Sequence, residues 1–531
     1  MIESEELYSE LSPAESDAAR GNRATIQERI PNPVIIAIGL LVAAVAIFYI
    51  ATIRDGNFWA DDYALYVHHA LNIVEGRAYA ATGYIYNRDV PDYSPRAYPP
   101  VFPLLLAPIY WVYGLNFHAM KVEEIVFFLL SLVAVTAYWN RDLKWPYLLV
   151  FIAVLGFNPH FWSLKDSVVA DIPFLLFFYL TALVAARSRR EGHRCREWAV
   201  LTGILLYLCI GTRTIGLTIT MGLVFYDLVK YRKLTRFVVT AVGVCFALIL
   251  AQRMIIGAGE QSYADQLHPS STTLLANVHE YMSAFVGLWG QPWGRTASIT
   301  VFAVTTCLAA LGMRKHLAKG LTTVEAFLVP YLVVVWLWPS PQGLRFLLPL
   351  IPFYIFLVFL GLEEFVKFAE HSKVKMVAAV PVLVIALSYA TFFRYANYGA
   401  IHQTDGRPSF NDLCKFIRVN TSPADVFIFR RSRALSLFTA RSAGVYSLNQ
   451  PDQLSGDLDR FNAAYIVASP LFEEDRRVLI PFVHSDLSQL NEVYENSDFQ
   501  VYRVHRSVDT GRDSPQTPKL SGEGTTAAAP K

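Results

Sequence analysis

Charged residues are scarce in this chain. Only 17% of its 531 residues carry a charge, whereas 54% are hydrophobic and 14% are aromatic. This balance is too apolar for an ordinary soluble protein. The formal net charge of +2 does not suggest nucleic acid as a partner. The composition therefore predicts a multi-pass membrane protein.

Cysteine is also scarce, and the start of the chain does not look like a signal peptide. The five cysteines lie mostly within apolar stretches, so they predict no disulfide framework. The first 30 residues are polar and acidic rather than basic, and Pro31 and Pro33 follow them. We predict a disordered cytoplasmic tail over residues 1–32, followed by an uncleaved first membrane span.

Long hydrophobic stretches are abundant and define the fold class. We predict an all-α integral membrane protein with about eleven transmembrane helices, although some stretches are short for a perpendicular span of roughly 20 residues. The stretches are 34–53, 122–139, 145–162, 172–186, 199–211, 215–229, 237–256, 297–311, 323–338, 346–362 and 374–393.

Arginine and lysine gather in three short connections, 187–196, 230–236 and 314–319. Basic loops stay on the cytoplasmic side of a membrane, so these connections predict the orientation of the chain. Alternation then places the first long loop, 54–121, and the polar residues of the later opposite loops outside. The scheme requires residues 99–114 to lie on the membrane surface. It predicts a bacterial-type plasma membrane protein with a cytoplasmic N-terminus.

The composition changes after residue 393, where polar residues return and short β-rich runs alternate with helix-like ones. The β-rich runs are 425–429, 443–446, 464–468 and 499–504. We predict a membrane domain over 33–393, a small extracytoplasmic α/β domain over 394–506 and a disordered tail over 507–531.

Two adjacent acids, Asp61 and Asp62, follow the first predicted span. Carboxylates near hydrocarbon are costly to desolvate and repel each other, so they point to chemistry at a membrane face. A structural interpretation stays open for Asp61, which could cap the helix that begins at Tyr63. No third ligand stands at a recognisable spacing, so no metal site is indicated here and metal dependence stays open.

Three further charged residues border apolar stretches on the same predicted face. Asp171 opens one of them and could be a helix cap, with Pro173 early in the helix. Arg213 has no basic neighbours between two spans, which suits bidentate phosphate binding, although it could also snorkel. Arg345 is similar but carries a weaker signal.

Aromatic residues crowd the first loop, and Trp59 and Tyr98 are among them. Tyrosine and tryptophan favour membrane interfaces, so most of these residues fit an aromatic belt. Aromatic faces also stack on sugar rings, which leaves a substrate-positioning role open for individual members.

Several motifs occur together in a defined order. They are Asp61-Asp62, Tyr98-Pro99-Pro100-Val101, the approach to the second span over 114–121, Asp171, the run 212–217 and the run 345–349. In this order they resemble the GT-C superfamily of polyprenyl-phosphate-sugar-dependent glycosyltransferases, within it the protein O-mannosyltransferase and aminoarabinose transferase branch. Two positions depart from the pattern: Asp62 replaces the commoner Glu, and Tyr98 stands where Lys or His often precedes the Pro-Pro pair.

The resemblance implies a glycosyltransferase that moves a sugar with inversion from a polyprenyl-phosphate carrier to an extracytoplasmic glycan, lipid or protein. Asp61 would be the general base, and Asp62 would tune or position it. The donor phosphate would be bound by Arg213, helped by Arg96 or Lys121, with Arg345 a weaker candidate. Asp171 would orient the acceptor or hold an arginine, and Tyr98 and Trp59 would position substrate. The only cofactor-like partner implied is the lipid-linked sugar, and no other cofactor is predicted.

Three other functions stay open at this stage. A polysaccharide ligase or polymerase that uses a lipid pyrophosphate is the nearest alternative. A transporter would instead place ionisable residues at the bilayer midplane. A non-catalytic assembly protein would use the C-terminal domain as its working part.

Cysteine-labelling experiments can test the predicted orientation. Single cysteines at Gly192 and Leu234 should react only with reagents that reach the cytoplasm, whereas cysteines at Ala80 and Ser455 should react with impermeant reagents added outside. The native cysteines are replaced first, and permeabilised cells control for reactivity. External labelling at Gly192 would overturn the orientation.

Overall fold

The computed structural model describes residues 31–57, 61–90, 93, 95–188, 195–256, 270–290, 293–368, 372–404, 406–448, 453–485 and 490–505. The predicted N-terminal tail before residue 31, the predicted C-terminal tail and Trp59 lie outside these ranges.

Helices dominate the chain up to residue 395. In chain order they are α1 Asn32–Ala51, α2 Asp62–Val74, α3 Val101–Tyr113, α4 Phe117–Trp139, α5 Trp145–Gly156, α6 Pro159–Leu164, α7 Asp171–Ser188, α8 Cys195–Thr212, α9 Leu217–Tyr231, α10 Arg236–Ile256, α11 Ser271–Val286, α12 Arg295–Leu317, α13 Thr323–Leu337, α14 Leu350–Phe368 and α15 Ser372–Tyr395. The helical fold class is confirmed.

Five helical segments of the described chain are long and apolar enough to cross a membrane, namely α1, α5 together with α6, α7, α10 and α12. Shorter apolar helices include α3 and α13. The chain is thus a membrane protein, while the number of about eleven crossings and the sidedness stay predictions.

Local sequence fixes where several helices begin and end. Asn116 caps α4, because its side chain accepts a hydrogen bond from the backbone N–H of Ala119 at 3.1 Å. Thr322 and Glu325 form a reciprocal capping box at the start of α13. Gly114 ends α3 with a φ of +63°, a conformation that favours glycine. The short turn at Gly114 therefore separates α3 from α4.

Helix α3 covers most of the stretch predicted to lie on the membrane surface. It packs on α2 and α8, with Phe102 and Leu106 buried on its inner side. Trp111 on its outer side is 76% exposed. A large exposed apolar side chain next to membrane-crossing helices suits contact with lipid, so this geometry is compatible with the predicted surface position.

Two glycines allow α12 and α14 to pack closely. A Cβ at Gly312 would meet the backbone carbonyl of Leu357, and a Cβ at Gly361 would meet that of Leu308. Backbone atoms cannot move aside as a flexible side chain can. The pair therefore sets how closely these helices approach each other.

Replacing Gly361 with alanine should lower the melting temperature measurably, because overpacking typically costs about 1–3 kcal/mol. Gly243→Ala in α10 is the matched control, since nothing lies within 4 Å of a Cβ placed there. The control should be neutral or slightly stabilising. Thermal unfolding of both purified variants measures the difference, and equal melting temperatures would contradict the close helix approach.

The residues after 395 fold around one mixed β-sheet. Its elements are helices α16 Pro408–Asn420, α17 Ser432–Thr439, α18 Leu454–Arg460 and α19 Ile480–Ser485, with strands β2 Val426–Ile428, β3 Ser442–Gly444, β4 Tyr465–Ala468, β5 Leu490–Glu495 and β6 Gln500–Val504. Strands β2, β3, β4 and β6 coincide with the four predicted β-rich runs, whereas β5 was not predicted.

The first loop contributes a strand to this sheet. Strand β1, Tyr84–Ile85, lies parallel to β3, and the strand order is β1-β3-β2-β4-β6-β5. Strands β1 to β4 are mutually parallel, whereas β6 pairs antiparallel with both β4 and β5. The sheet therefore joins loop 54–121 to the C-terminal segment, which the predicted domain boundary at 394 separates.

Polar contacts reinforce this junction. The side-chain amide of Asn87 donates to the backbone oxygen of Val445 at 2.8 Å, and Arg460 pairs with Asp89 at 2.6 Å. The buried side of the loop also shares an apolar cluster with α16, α17 and the sheet. The first loop and the C-terminal segment thus form one packed body.

Candidate active site

Four parts of the membrane domain bring charged residues to one end of the helices. Asp61 and Asp62 follow α1, Asp171 opens α7, Arg213 directly follows α8, and Arg345 lies in the 3-10 turn Gly343–Leu347 before α14. The last turns of α7 and α9 carry basic residues of the predicted cytoplasmic connections. They lie at the ends of these helices opposite to the site.

Asp171 holds two arginines. Its Oδ2 accepts a hydrogen bond from Nε of Arg345 at 2.9 Å, and its Oδ1 accepts one from the guanidinium of Arg213. Asp171 is buried, so both contacts are shielded from solvent. The side chain of Arg213 also lies against the ring of Phe346, 4.9 Å from its centre. Of the three roles predicted for Asp171, holding an arginine agrees with these contacts, whereas capping a helix and orienting the acceptor stay predictions.

Arg345 connects Asp171 to the adjacent acids. Its Nη1 donates to Oδ2 of Asp62 at 2.9 Å while its Nε binds Asp171. The planar guanidinium places both donors in fixed directions, which a lysine could not do. Arg345 therefore sets the spacing between Asp62 and Asp171.

Asp61 meets a residue from the far end of the sequence. Its Oδ1 accepts hydrogen bonds from Nη2 of Arg433 at 2.6 Å and from Nε at 3.1 Å. Its Oδ2 accepts from the backbone N–H groups of Arg433 at 3.0 Å and of Ala434 at 3.3 Å. Both N–H groups belong to the first turn of α17, where an anion stabilises a helix.

These contacts argue against Asp61 as the cap of α2. The residue directly precedes α2, yet its side chain makes no capping hydrogen bond to that helix. The carboxylate instead caps α17, which begins more than 370 residues later in the chain. Asp61 thus connects the membrane domain to the C-terminal segment.

Asp62 is the more accessible of the two acids. The exposed fraction of its side chain is 22%, against 1% for Asp61. Its Oδ1 lies 3.0 Å from Nη1 of Arg433 and accepts a hydrogen bond from the Tyr98 hydroxyl at 3.3 Å. Burial alone raises the pKa of Asp62, but Arg433 and Arg345 outweigh it and hold this pKa below its ordinary value. Asp62 is therefore a carboxylate at neutral pH.

Tyr98 is held from several sides. Its ring stacks on Tyr66 with centres 4.4 Å apart, and its hydroxyl accepts a hydrogen bond from Arg433 at 2.9 Å. Its backbone N–H donates to Nε2 of His69 at 3.2 Å. The other ring nitrogen of His69, Nδ1, lies 2.8 Å from the backbone oxygen of Tyr79. Tyr98 thus reaches the acids from a firmly supported part of the loop.

Two other predicted phosphate ligands are placed differently. Lys121 is buried, and its ammonium donates to the backbone oxygen of Arg54 at 2.6 Å and to that of Gly56. Both of these oxygens belong to the chain that leaves α1. Arg96 is exposed, two residues before Tyr98. The phosphate-binding roles of both residues stay predictions.

No three His, Cys, Asp or Glu side chains within the described ranges are grouped so that they could hold a metal ion. The site's conspicuous pattern is instead the alternation of carboxylates and guanidiniums. Such an arrangement offers hydrogen-bond acceptors for a hydroxyl and cations for an anionic group. Metal dependence stays open.

Arg433 was not among the site residues predicted from the sequence. The signal was present, because Arg430, Arg431 and Arg433 stand within four residues directly after the β-rich run 425–429. Arg430 pairs with Glu474 at 3.0 Å, and Arg431 interacts electrostatically with Asp61 and Asp62. A cluster of arginines at the end of a predicted strand is a candidate anion or carboxylate partner.

The described chain has a fold similar to those of several GT-C glycosyltransferases of known structure. ArnT from Cupriavidus metallidurans, solved with bound undecaprenyl phosphate, is similar at 13% identity with a TM-score of 0.55, over 89% of this chain and 98% of that one. The oligosaccharyltransferase of Archaeoglobus fulgidus, solved with Zn and sulfate, matches at 12% identity and a TM-score of 0.59, over 88% of this chain and 73% of that one.

The arabinofuranosyltransferase AftD from Mycobacteria has a similar fold at 13% identity and a TM-score of 0.56, over 88% of this chain and 40% of that one. Identities this low describe the fold alone. No protein-family model and no curated protein sequence matches the chain. The predicted resemblance to GT-C proteins is thus confirmed at the level of fold.

Proposed function

We propose that the chain is a membrane glycosyltransferase that moves one sugar, with inversion, from a polyprenyl-phosphate carrier to a hydroxyl-bearing acceptor on the extracytoplasmic side. The observation that carries the proposal is the chain of contacts from Asp62 through Arg345 and Asp171 to Arg213. In the proposed reaction the carboxylate of Asp62 binds the acceptor, and the two arginines bind the donor phosphate. The fold similarity to a protein solved with undecaprenyl phosphate supports the same donor class.

Arg213 and Arg345 form the donor end of the proposed site. As the sugar is transferred, the bond between its anomeric carbon and the phosphate oxygen breaks, and negative charge grows on the lipid phosphate. Guanidiniums fixed in advance stabilise that charge without a proton transfer. Asp171 keeps both cations in place through its two oxygens.

Asp62 forms the acceptor end. The attacking hydroxyl forms the new bond to the anomeric carbon and gives up its proton, and a carboxylate within hydrogen-bond distance can take it. Of the two adjacent acids, Asp62 is the more exposed, whereas Asp61 is enclosed by α17. We therefore assign the base to Asp62 rather than to Asp61, the residue that the resemblance suggested.

Donor binding would make Asp62 a better base. Arg345 lowers the pKa of Asp62, and an ideal base has a pKa nearer the working pH. A phosphate that draws the charge of Arg345 toward itself weakens this effect, so the pKa of Asp62 rises when the donor is bound. The proposed site would thus activate the acceptor only once the donor is in place.

Mass spectrometry of cells with and without the chain tests the proposal. Glycolipids, envelope glycans and proteins are compared, and the deletion is complemented with the native chain or with Asp62→Asn. We expect one product to lose a single sugar, a polyprenyl-phosphate sugar to accumulate, and only the native chain to restore the product. Purified protein with that donor, assayed with and without a chelator, then tests direct transfer and metal dependence.

Accumulation of a lipid-pyrophosphate oligosaccharide would instead favour a ligase or polymerase. Unchanged glycans in the deletion strain would contradict both enzymes and favour an assembly or transport role.

A further inference from the structure

We infer that Arg433 is a positioning residue through which the C-terminal segment keeps Asp62 charged and holds both Asp61 and Asp62 in a fixed orientation. The inference rests on the proposed function, because it assigns a working role within the same site to a segment outside the membrane domain. It also makes the C-terminal segment a necessary part of the site rather than an appended binding module.

The negative charges of the two acids are the first reason for this role. Two adjacent carboxylates in a largely buried position repel each other, and one of them takes up a proton unless a cation compensates. Arg433 contacts both, through two hydrogen bonds to Asp61 and an ion pair at 3.0 Å to Asp62. Its own side chain is only 5% exposed, so solvent screens these interactions little.

The geometry around Arg433 is the second reason. The backbone N–H groups at the start of α17 bind the same carboxylate as the Arg433 side chain, so backbone and side chain fix Asp61 together. The guanidinium also binds the Tyr98 hydroxyl and lies 5.3 Å from the centre of the Tyr93 ring. Both tyrosines follow β1 in the loop, whereas Asp61 precedes it, and the pairing of β1 with β3 keeps the loop beside α17. Arg433 is thus held in a fixed orientation relative to both acids.

The groups that surround Asp62 are the third reason. Arg433 and Arg431 face it from the C-terminal segment, Arg345 faces it from the turn before α14, and Tyr98 comes from the loop. Tyr66 on α2 lies near enough for the charge of Asp62 to affect it. Arg433 contacts both adjacent acids, whereas Arg345 joins Asp62 to Asp171. Loss of Arg433 should therefore change the protonation and orientation of Asp62 while leaving the contact of Arg213 with Asp171 in place.

The test compares Arg433→Gln and Arg433→Lys with the native full-length chain. Arg407→Gln is the matched control, because it removes another arginine–aspartate pair of the C-terminal segment, with Asp498, and touches neither acid. Three measurements are made in nanodiscs. They are thermal unfolding for the melting temperature, steady-state kinetics for the donor KM and kcat, and a titration for the protonation of Asp62. The last is followed by infrared difference spectroscopy against pH, with the carboxyl band assigned by Asp62→Asn.

For Arg433→Gln we expect the midpoint of Asp62 protonation to rise by about 1–3 pH units, because a neighbouring cation is lost. A kcat about 10²-fold lower is expected from misplacement of the carboxylate, with little change in donor KM. Arg433→Lys should recover part of both effects, since it keeps the charge but not the planar fork. Arg407→Gln should behave like the native chain in all three measurements.

An unchanged infrared midpoint together with native kcat in Arg433→Gln would overturn the inference. An increase in kcat would also overturn it, because Arg433 would then be blocking the site. Failure of both Arg433 variants to fold would mean that the residue serves the fold alone, which again contradicts a positioning role. The infrared titration does not need turnover, so it still gives a result if the chain transfers no sugar and the proposed function is wrong.

Discussion

Asp62→Asn should lower kcat by about 10²- to 10⁴-fold, the usual contribution of a positioned general base. Asparagine preserves the size of the side chain and can still bind Arg345, but it cannot take the proton from an attacking hydroxyl. The folded structure should survive, because Asp62 is partly exposed and its arginine partners retain Asp61 and Asp171. Initial rates of sugar transfer by purified protein, with the melting temperature recorded alongside, measure both effects.

Asp61→Asn provides the comparison that decides between the two acids. This change leaves Arg433 less compensated in a buried position, and breaking a buried ion pair typically costs about 3–5 kcal/mol. We therefore expect a lower melting temperature, with more activity retained than in Asp62→Asn at a temperature where both are folded. A native melting temperature with abolished transfer in Asp61→Asn would restore Asp61 as the base, as the resemblance suggested.

The pH profile offers a further check on Asp62. Its pKa in the folded protein is below the ordinary value, so the active carboxylate form is present above that depressed pKa and is lost only as the pH falls through it. The acid limb of kcat/KM, which reports the free enzyme, should therefore lie below the ordinary aspartate range. The acid limb of kcat should lie higher if donor binding weakens the effect of Arg345.

Much of the membrane domain could be predicted because long hydrophobic stretches must become helices where no water can satisfy the backbone. The charged residues at their ends were visible for the same reason: an isolated Arg213 or Asp171 stands out against an apolar background. Their meeting could be expected only from the order of motifs and from the alternation of the helices. The contacts from Asp62 to Arg213 agree with that expectation.

The contact between Asp61 and Arg433 could not be predicted in the same way. It joins residues 372 positions apart and depends on β1, a strand of only two residues that pairs with β3. So short a strand gives no periodic signal. Lys121 illustrates another limit, because a lysine near a helix start can reach outward to solvent or inward to backbone oxygens, and only packing decides which.

Arg213 is the best position at which to separate donor binding from the action of the acids. Its guanidinium donates a hydrogen bond to Asp171, and replacing Arg213 leaves the contacts of Asp62 with Arg345 and Arg433 in place. Arg213→Lys keeps the charge but loses the planar fork, and we expect weaker donor binding and a higher donor KM. Arg213→Ala removes the charge as well and should also lower kcat by about 10²- to 10³-fold, as loss of an oxyanion-stabilising donor does.

The kinetic pattern gives the Arg213 experiment its meaning. An interaction made equally in the ground and transition states changes KM alone, whereas one that strengthens as the phosphate leaves changes kcat. Arg253→Ala, an exposed arginine near the end of α10, controls for the loss of a cation at the predicted same face. Assays across a range of donor concentrations, with melting temperatures measured in parallel, separate these cases. Native kinetics in both Arg213 variants would reduce Arg213 to a snorkelling residue at a helix end and leave Arg345 to bind the donor phosphate.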